Sequence, residues 1–89
     1  TITDGLILLN NPVVSNTLKA KISSAYTNNR KINVTLFDIH GRILFRKEII
    51  VNQQSFIEQI DMSKFLPGQY ILSVNFGNKK PVSVPFIKL

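Results

Sequence analysis

Ile60-Asp61-Met62-Ser63-Lys64-Phe65-Leu66-Pro67-Gly68-Gln69-Tyr70-Ile71-Leu72-Ser73-Val74-Asn75-Phe76-Gly77-Asn78 is the stretch that decides the fold. Asp61 can cap one short helical turn over Met62 to Phe65, because its carboxylate can accept from backbone N–H groups left free there. Pro67-Gly68 suits the two central positions of a type II turn, with Gly supplying the positive φ. Tyr70, Leu72, Val74 and Phe76 then alternate with Ile71, Ser73 and Asn75, which is the period of a half-buried strand. Gly77-Asn78 is a two-residue hairpin signal. Beyond it, Val82, Val84 and Phe86 face inward on a last strand that runs to the end of the chain. Pro81 and Pro85 fall on its other phase, and prolines cannot donate to a ladder, so this strand belongs at a sheet edge.

Working toward the N-terminus, strand signals recur every 8–12 residues with turn signals between them, the spacing of a β-sandwich or barrel. Phe56 to Ile60 reads as a strand, broken off by Asn52-Gln53-Gln54 from one over Arg42 to Val51. The alternation of that fourth strand is imperfect. Leu44 and Phe45 are adjacent, as are Ile49 and Ile50, which predicts a bulge or burial on both faces. Asp38-Ile39-His40-Gly41 fits a type I turn with Gly left-handed in its bulge. Ile32, Val34 and Leu36 make an inward-facing third strand after the turn Thr27-Asn28-Asn29. Leu18, Ala20, Ile22 and Tyr26 share one face of a second strand, and Lys19, Lys21 and Ser23 share the other. Asn10-Asn11-Pro12 breaks the chain before it. Leu6-Ile7-Leu8-Leu9 is either a first strand or a buried lead-in, so residues 1–9 stand apart from a domain over 10–89. The start at Thr1 reads as a cut, and the chain is expected to be the C-terminal piece of a longer protein.

The 89 residues make one domain, and 44% apolar with 18% charged content is that of a globular core. There is no Cys and hence no disulfide framework. The longest apolar runs fall far short of the ~20 residues that span a bilayer, and the N-terminus lacks a secretory leader pattern. The net charge of +6 comes from Lys and Arg spread in pairs at most, as in Arg30-Lys31, Arg46-Lys47 and Lys79-Lys80. Nucleic-acid binders cluster such charge and add stacking aromatics. Here the aromatics mostly take core phases, so a solvated basic surface is the better reading, with attraction to an acidic partner or anionic lipid headgroups as a weaker one.

Catalytic chemistry is not legible. His40, the single His, sits in a turn, and Glu48, Glu58 and Asp61 have no paired spacing. No phosphate loop, nucleophile elbow or zinc motif appears. Asn10, Asn11, Asn28 and Asn29 are weak Ca²⁺ candidates and better turn residues. The expectation is a non-enzyme without cofactor.

From Asn11 onward the chain resembles the type A C-terminal sorting domain of type IX secretion cargo from Bacteroidetes. The resemblance rests on Asn11-Pro12, the strand Leu18 to Ile22, and Leu36-Phe37-Asp38-Ile39-His40-Gly41 with Arg42 next. It continues through Ile60-Asp61-Met62-Ser63, Leu66, Gly68-Gln69-Tyr70, Lys79-Lys80 and Phe86-Ile87-Lys88. Each motif alone is common in β proteins; their order and spacing over residues 10 to 89 carry the match.

The resemblance implies an all-β, immunoglobulin-like sandwich of about seven antiparallel strands. It implies passage through the periplasm, export by the outer-membrane type IX translocon, and removal by a cell-surface sortase with release or attachment to anionic lipopolysaccharide. A few members keep the domain as parts of the machinery. The competing readings are an immunoglobulin-like spacer or adhesion module and a carbohydrate-binding module, for which only Phe37 and Phe45 offer exposed rings. The expected recognition residues are Gly68, Tyr70, Lys79, Lys80, Phe86, Ile87, Lys88 and Leu89. Gly68 and Tyr70 matter first for the fold. The last strand would act as a handle, with an open edge for strand addition and a basic trio, Lys79, Lys80 and Lys88, for an acidic partner. The domain is expected to be monomeric.

Overall fold

Alternation of apolar and polar residues is converted into two packed sheets in the computed structural model, which describes residues 4–25, 28–77 and 80–89. The strands are β1 (Gly5–Leu8), β2 (Thr17–Ser23), β3 (Arg30–Asp38), β4 (Ile43–Val51), β5 (Ser55–Asp61), β6 (Gly68–Asn75) and β7 (Val82–Lys88). One sheet has the order β1-β2-β5 and the other β4-β3-β6-β7. All neighbours within them are antiparallel. No helix occurs among the described residues. This order, with consecutive strands exchanged between two sheets, is that of an immunoglobulin-like sandwich. The expected face of Leu18, Ala20 and Ile22 meets that of Ile32, Val34, Leu36, Leu72 and Val74 in the core. Tyr26, expected beside them, lies outside the described residues, as does Asn78 of the Gly77-Asn78 hairpin.

The broken alternation of β4 has a specific cause. Leu36 pairs with Phe45, and Phe37 pairs with Ile43, so Leu44 is the extra residue of a bulge. The turn leading into β4 is the expected one. The Gly41 N–H donates to the Asp38 carbonyl at 3.1 Å, and Gly41 has φ +81°, a left-handed conformation that favours glycine. Asp38 locks the turn from within. One carboxylate oxygen accepts from the N–H groups of His40 and Arg42, both at 2.9 Å, and the other from Arg42 Nε at 2.7 Å.

These bonds, led by the backbone N–H of Arg42, hold the Asp38 carboxyl below its ordinary value of 3.8, against a smaller opposing effect of desolvation. A depressed folded-state pKa gives stability that is present above the unfolded value and is lost as pH falls through the folded one. Asp38→Asn should therefore lower the melting temperature at neutral pH. The gap to wild type should close as pH is taken below 3.8. Parallel melting curves across that range would contradict this.

The Pro67-Gly68 corner differs from the expected type II turn. Gly68 has φ +155°, not the ~+80° that turn requires. It already belongs to β6, opposite Lys88, and ladder pairing has pulled the corner open. The Met62–Phe65 turn is closed by a Phe65 N–H to Met62 carbonyl bond at 3.0 Å. Asp61 accepts from the Ser63 N–H at 2.9 Å. The capping bond and the single turn it caps are both the expected ones.

Candidate recognition site

The eight residues singled out from sequence do not form one cluster. Gly68 lies opposite Lys88, Gln69 opposite Ile87, and Tyr70 opposite Phe86. Gly68, Tyr70, Phe86, Ile87, Lys88 and Leu89 thus share one end of the four-stranded sheet. Lys80 precedes β7 at the other end, roughly 25 Å away at the rise of an extended strand. Lys79 lies outside the described residues. Lys80 and Lys88 are too far apart to act as one basic handle.

Period two then divides the group at the C-terminal end. Tyr70 and Phe86 point into the core, with ring centroids 5.8 Å apart and planes at 26°. The Tyr70 hydroxyl donates to the Leu66 carbonyl. A tyrosine early in the sixth strand bonded to backbone just upstream is the corner found in immunoglobulin-like sandwiches. Lys88 shares the phase of Phe86, and this corrects the expectation that it presents charge to a partner. It is only 7% exposed. Its Nζ donates to the Met62 and Phe65 carbonyls at 2.8 and 2.6 Å. The long stem crosses the end of the core, and the ammonium ties the 62–65 turn to the last strand.

The open-handle expectation is corrected as well. β7 is an edge strand, as its prolines require, but its last residues are already paired. The Ile87 carbonyl accepts from the Val13 N–H at 2.8 Å, and the Leu89 N–H donates to the Val13 carbonyl at 3.0 Å. The Ile87 N–H donates to Asn11 Oδ1 at 3.2 Å. Pro85, the next residue of that phase, has no N–H to offer. A partner adding a strand at residues 87–89 would first have to displace residues 11–13.

Asn10 does the corresponding job at the other sheet. Its amide donates to the Thr17 carbonyl at 2.7 Å and accepts from the Lys19 N–H at 2.8 Å. The two asparagines read as turn residues and weak Ca²⁺ candidates thus spend their amides on the backbone. Sequence offered only a faint sign of this, a pair of side chains with both donor and acceptor ahead of a proline.

What the C-terminal end exposes is apolar. On the outer face of the four-stranded sheet, Ile43, Phe37, Ile71 and Pro85 stand in one cross-strand row. Ile87 lies in the next row beside Gln69. A shallow cavity of about 460 Å³ is lined there by Ile39, Ile71, Pro85 and Ile87, with Asn11 and Gln69 at its polar side. Ile39, Ile43 and Ile87 are largely exposed. The side chains that line it are aliphatic, with two amides at the edge.

No curated protein matches the chain. A family model described as "Secretion system C-terminal sorting domain" matches residues 11–88, from the asparagine that clips β7 to the lysine buried beneath it. The match spans nearly the whole chain, and the seven-stranded sandwich agrees with it. The chain belongs to this family, the C-terminal sorting domains that direct proteins to the cell surface or medium by type IX secretion.

Proposed function

We propose that the type IX translocon reads this domain through the apolar outer face of the four-stranded sheet, centred on Ile71 and Ile87. The observation that carries the reading is the outer apolar row Ile43-Phe37-Ile71-Pro85, exposed at Ile43 and Pro85 and half-buried at Phe37 and Ile71, with the exposed Ile39 and Ile87 beside it. A contiguous exposed apolar patch of this kind on a small domain marks a site of interaction. Gly68, Tyr70 and Phe86 support it from below, Lys88 braces it, and Leu89 lies at its rim. Lys80 contributes only long-range attraction. The parent protein crosses the periplasm, is exported, and loses the domain to a surface sortase, after which it is released or joined to anionic lipopolysaccharide.

The test is export of a reporter that carries a periplasmic leader and ends in this domain. Ile71→Ser with Ile87→Ser should reduce surface delivery roughly tenfold, the effect of losing two central interface contacts. Ile87 is exposed and Ile71 half-buried, so the double change should cost about 1–2 kcal/mol and leave the domain folded, which circular dichroism verifies. The matched control Ile50→Ser, 58% exposed at the opposite end of the four-stranded sheet, should export normally. Normal export of the folded double variant would remove this face from consideration.

A further inference from the structure

The other sheet presents a face of different chemistry, which the recognition of the sorting domain does not use. Lys21 stands between Ile7 and Ile57 in one cross-strand row of the three-stranded sheet. In the next row on that face Lys19 lies opposite Gln59, and on its other side the Leu9 N–H donates to the Lys19 carbonyl at 2.9 Å. Ile7, Leu9 and Ile57 are 60%, 48% and 57% exposed, and both lysines are exposed. Neighbouring strands are ~4.8 Å apart, so each ammonium rises from among aliphatic chains.

Carboxylates are kept off these rows. Glu58 takes the opposite phase and pairs with Lys47 at 3.0 Å. Asp61 shares this face in the end row just beyond Lys19, opposite Thr17, where its carboxylate accepts from the Ser63 N–H. Elsewhere Asp4 and Asp38 are held by Arg30 and Arg42. Most of the uncompensated charge of this +6 chain is therefore positive.

We propose that this face docks on the surface of an anionic phospholipid bilayer. The three aliphatic chains would enter the acyl boundary, and the two lysines would reach back to lipid phosphates along their own stems. The interleaving selects a lipid over the alternatives. Lysine is depleted from the cores of protein interfaces, where its desolvation is costly. A nucleic-acid surface would want aromatic rings for stacking, and the outward positions of this face carry Ile, Leu, Lys, Gln, Ser and Thr, with Asp61 in the end row. A sorting domain so docked would search for its translocon in two dimensions, with the four-stranded sheet facing away from the membrane.

The probe is flotation of the 89-residue chain with vesicles. One set contains phosphatidylcholine alone, the other phosphatidylcholine with phosphatidylglycerol. Binding is expected only to the anionic vesicles and should weaken steadily as salt is raised. At roughly fivefold per lysine near an anionic surface, Lys19→Gln with Lys21→Gln should lower partitioning about 25-fold. Ile7→Ser with Ile57→Ser should lower it at least about tenfold, since the apolar term is then lost. Removing the same charge from the other sheet, by Lys31→Gln with Arg46→Gln, should leave most binding intact. Circular dichroism verifies folding of each variant, and the salt titration of the unaltered chain needs none. Three results would overturn the proposal: no flotation with anionic vesicles, equal loss in the Lys31/Arg46 control, or a face that captures a translocon protein while leaving vesicles alone.

Discussion

Removing residues 1–9, all of which precede the matched family region, should abolish the cooperative thermal transition of this domain. The expectation follows from Arg30. Its side chain is 11% exposed and its guanidinium holds Asp4 through Nη1 at 2.6 Å and Nη2 at 3.0 Å. It also donates to the Phe76 carbonyl at 3.1 Å and the Ser24 hydroxyl at 3.2 Å, and stands 5.3 Å from the centre of the Phe76 ring. One side chain thus joins the residue ahead of β1, the end of β2 and the end of β6.

Losing one partner of a buried ion pair costs about 3–5 kcal/mol, chiefly by stranding the other charge. Deletion of β1 also uncovers β2 along its edge and removes Leu6, a core side chain worth ~1.5–3 kcal/mol. A small domain has only ~5–10 kcal/mol in total. Asp4→Ala alone should cost about 3 kcal/mol in chemical denaturation, and Asp4→Ala with Arg30→Met should cost less than the two single changes added. A chain starting at Asn10 that melted like the whole would show that β1 is dispensable.

The second large effect belongs to Lys88. Lys88→Ala should cost about 3 kcal/mol or more. Two buried carbonyls lose a charged donor, each such bond being worth ~1.5–3 kcal/mol, and the stem leaves a gap. Lys88→Met keeps most of the stem and should cost about 2 kcal/mol. Lys80→Glu, at an exposed position, should stay within about 0.5 kcal/mol. Denaturant midpoints with unchanged slopes would measure all three. Equal effects at Lys80 and Lys88 would mean that Lys88 is a surface charge after all.

Lys88 also marks where sequence reading stopped short. The phase Val82, Val84, Phe86 was legible, and carrying it one step further places Lys88 inside; a charged residue at a buried phase is the exception to the pattern, possible here because two carbonyls receive the ammonium. The strands themselves were legible because period two is a local signal, as at Leu18, Ala20 and Ile22. So was the Asp38–Gly41 turn, whose bonds close within four residues. The Asn11 contact joins residues 76 apart in sequence and leaves no local pattern. The Pro67-Gly68 corner has the right residues for a type II turn, and only the pairing of Gly68 with Lys88 decides against it. The apolar row is hidden for a similar reason. Ile43, Phe37, Ile71 and Pro85 come from four strands and become neighbours only through the register of the sheet.

Site-specific photo-crosslinking in secreting cells tests the central claim most directly. A photoreactive side chain would be placed in turn at Ile71, Ile87, Lys80 and Ile57 of a reporter fusion trapped during export. The account expects adducts with translocon components from Ile71 and Ile87, and few or none from Lys80 or Ile57. Strong adducts from Lys80 with none from Ile71 and Ile87 would contradict it, and would return recognition to the basic β6–β7 turn.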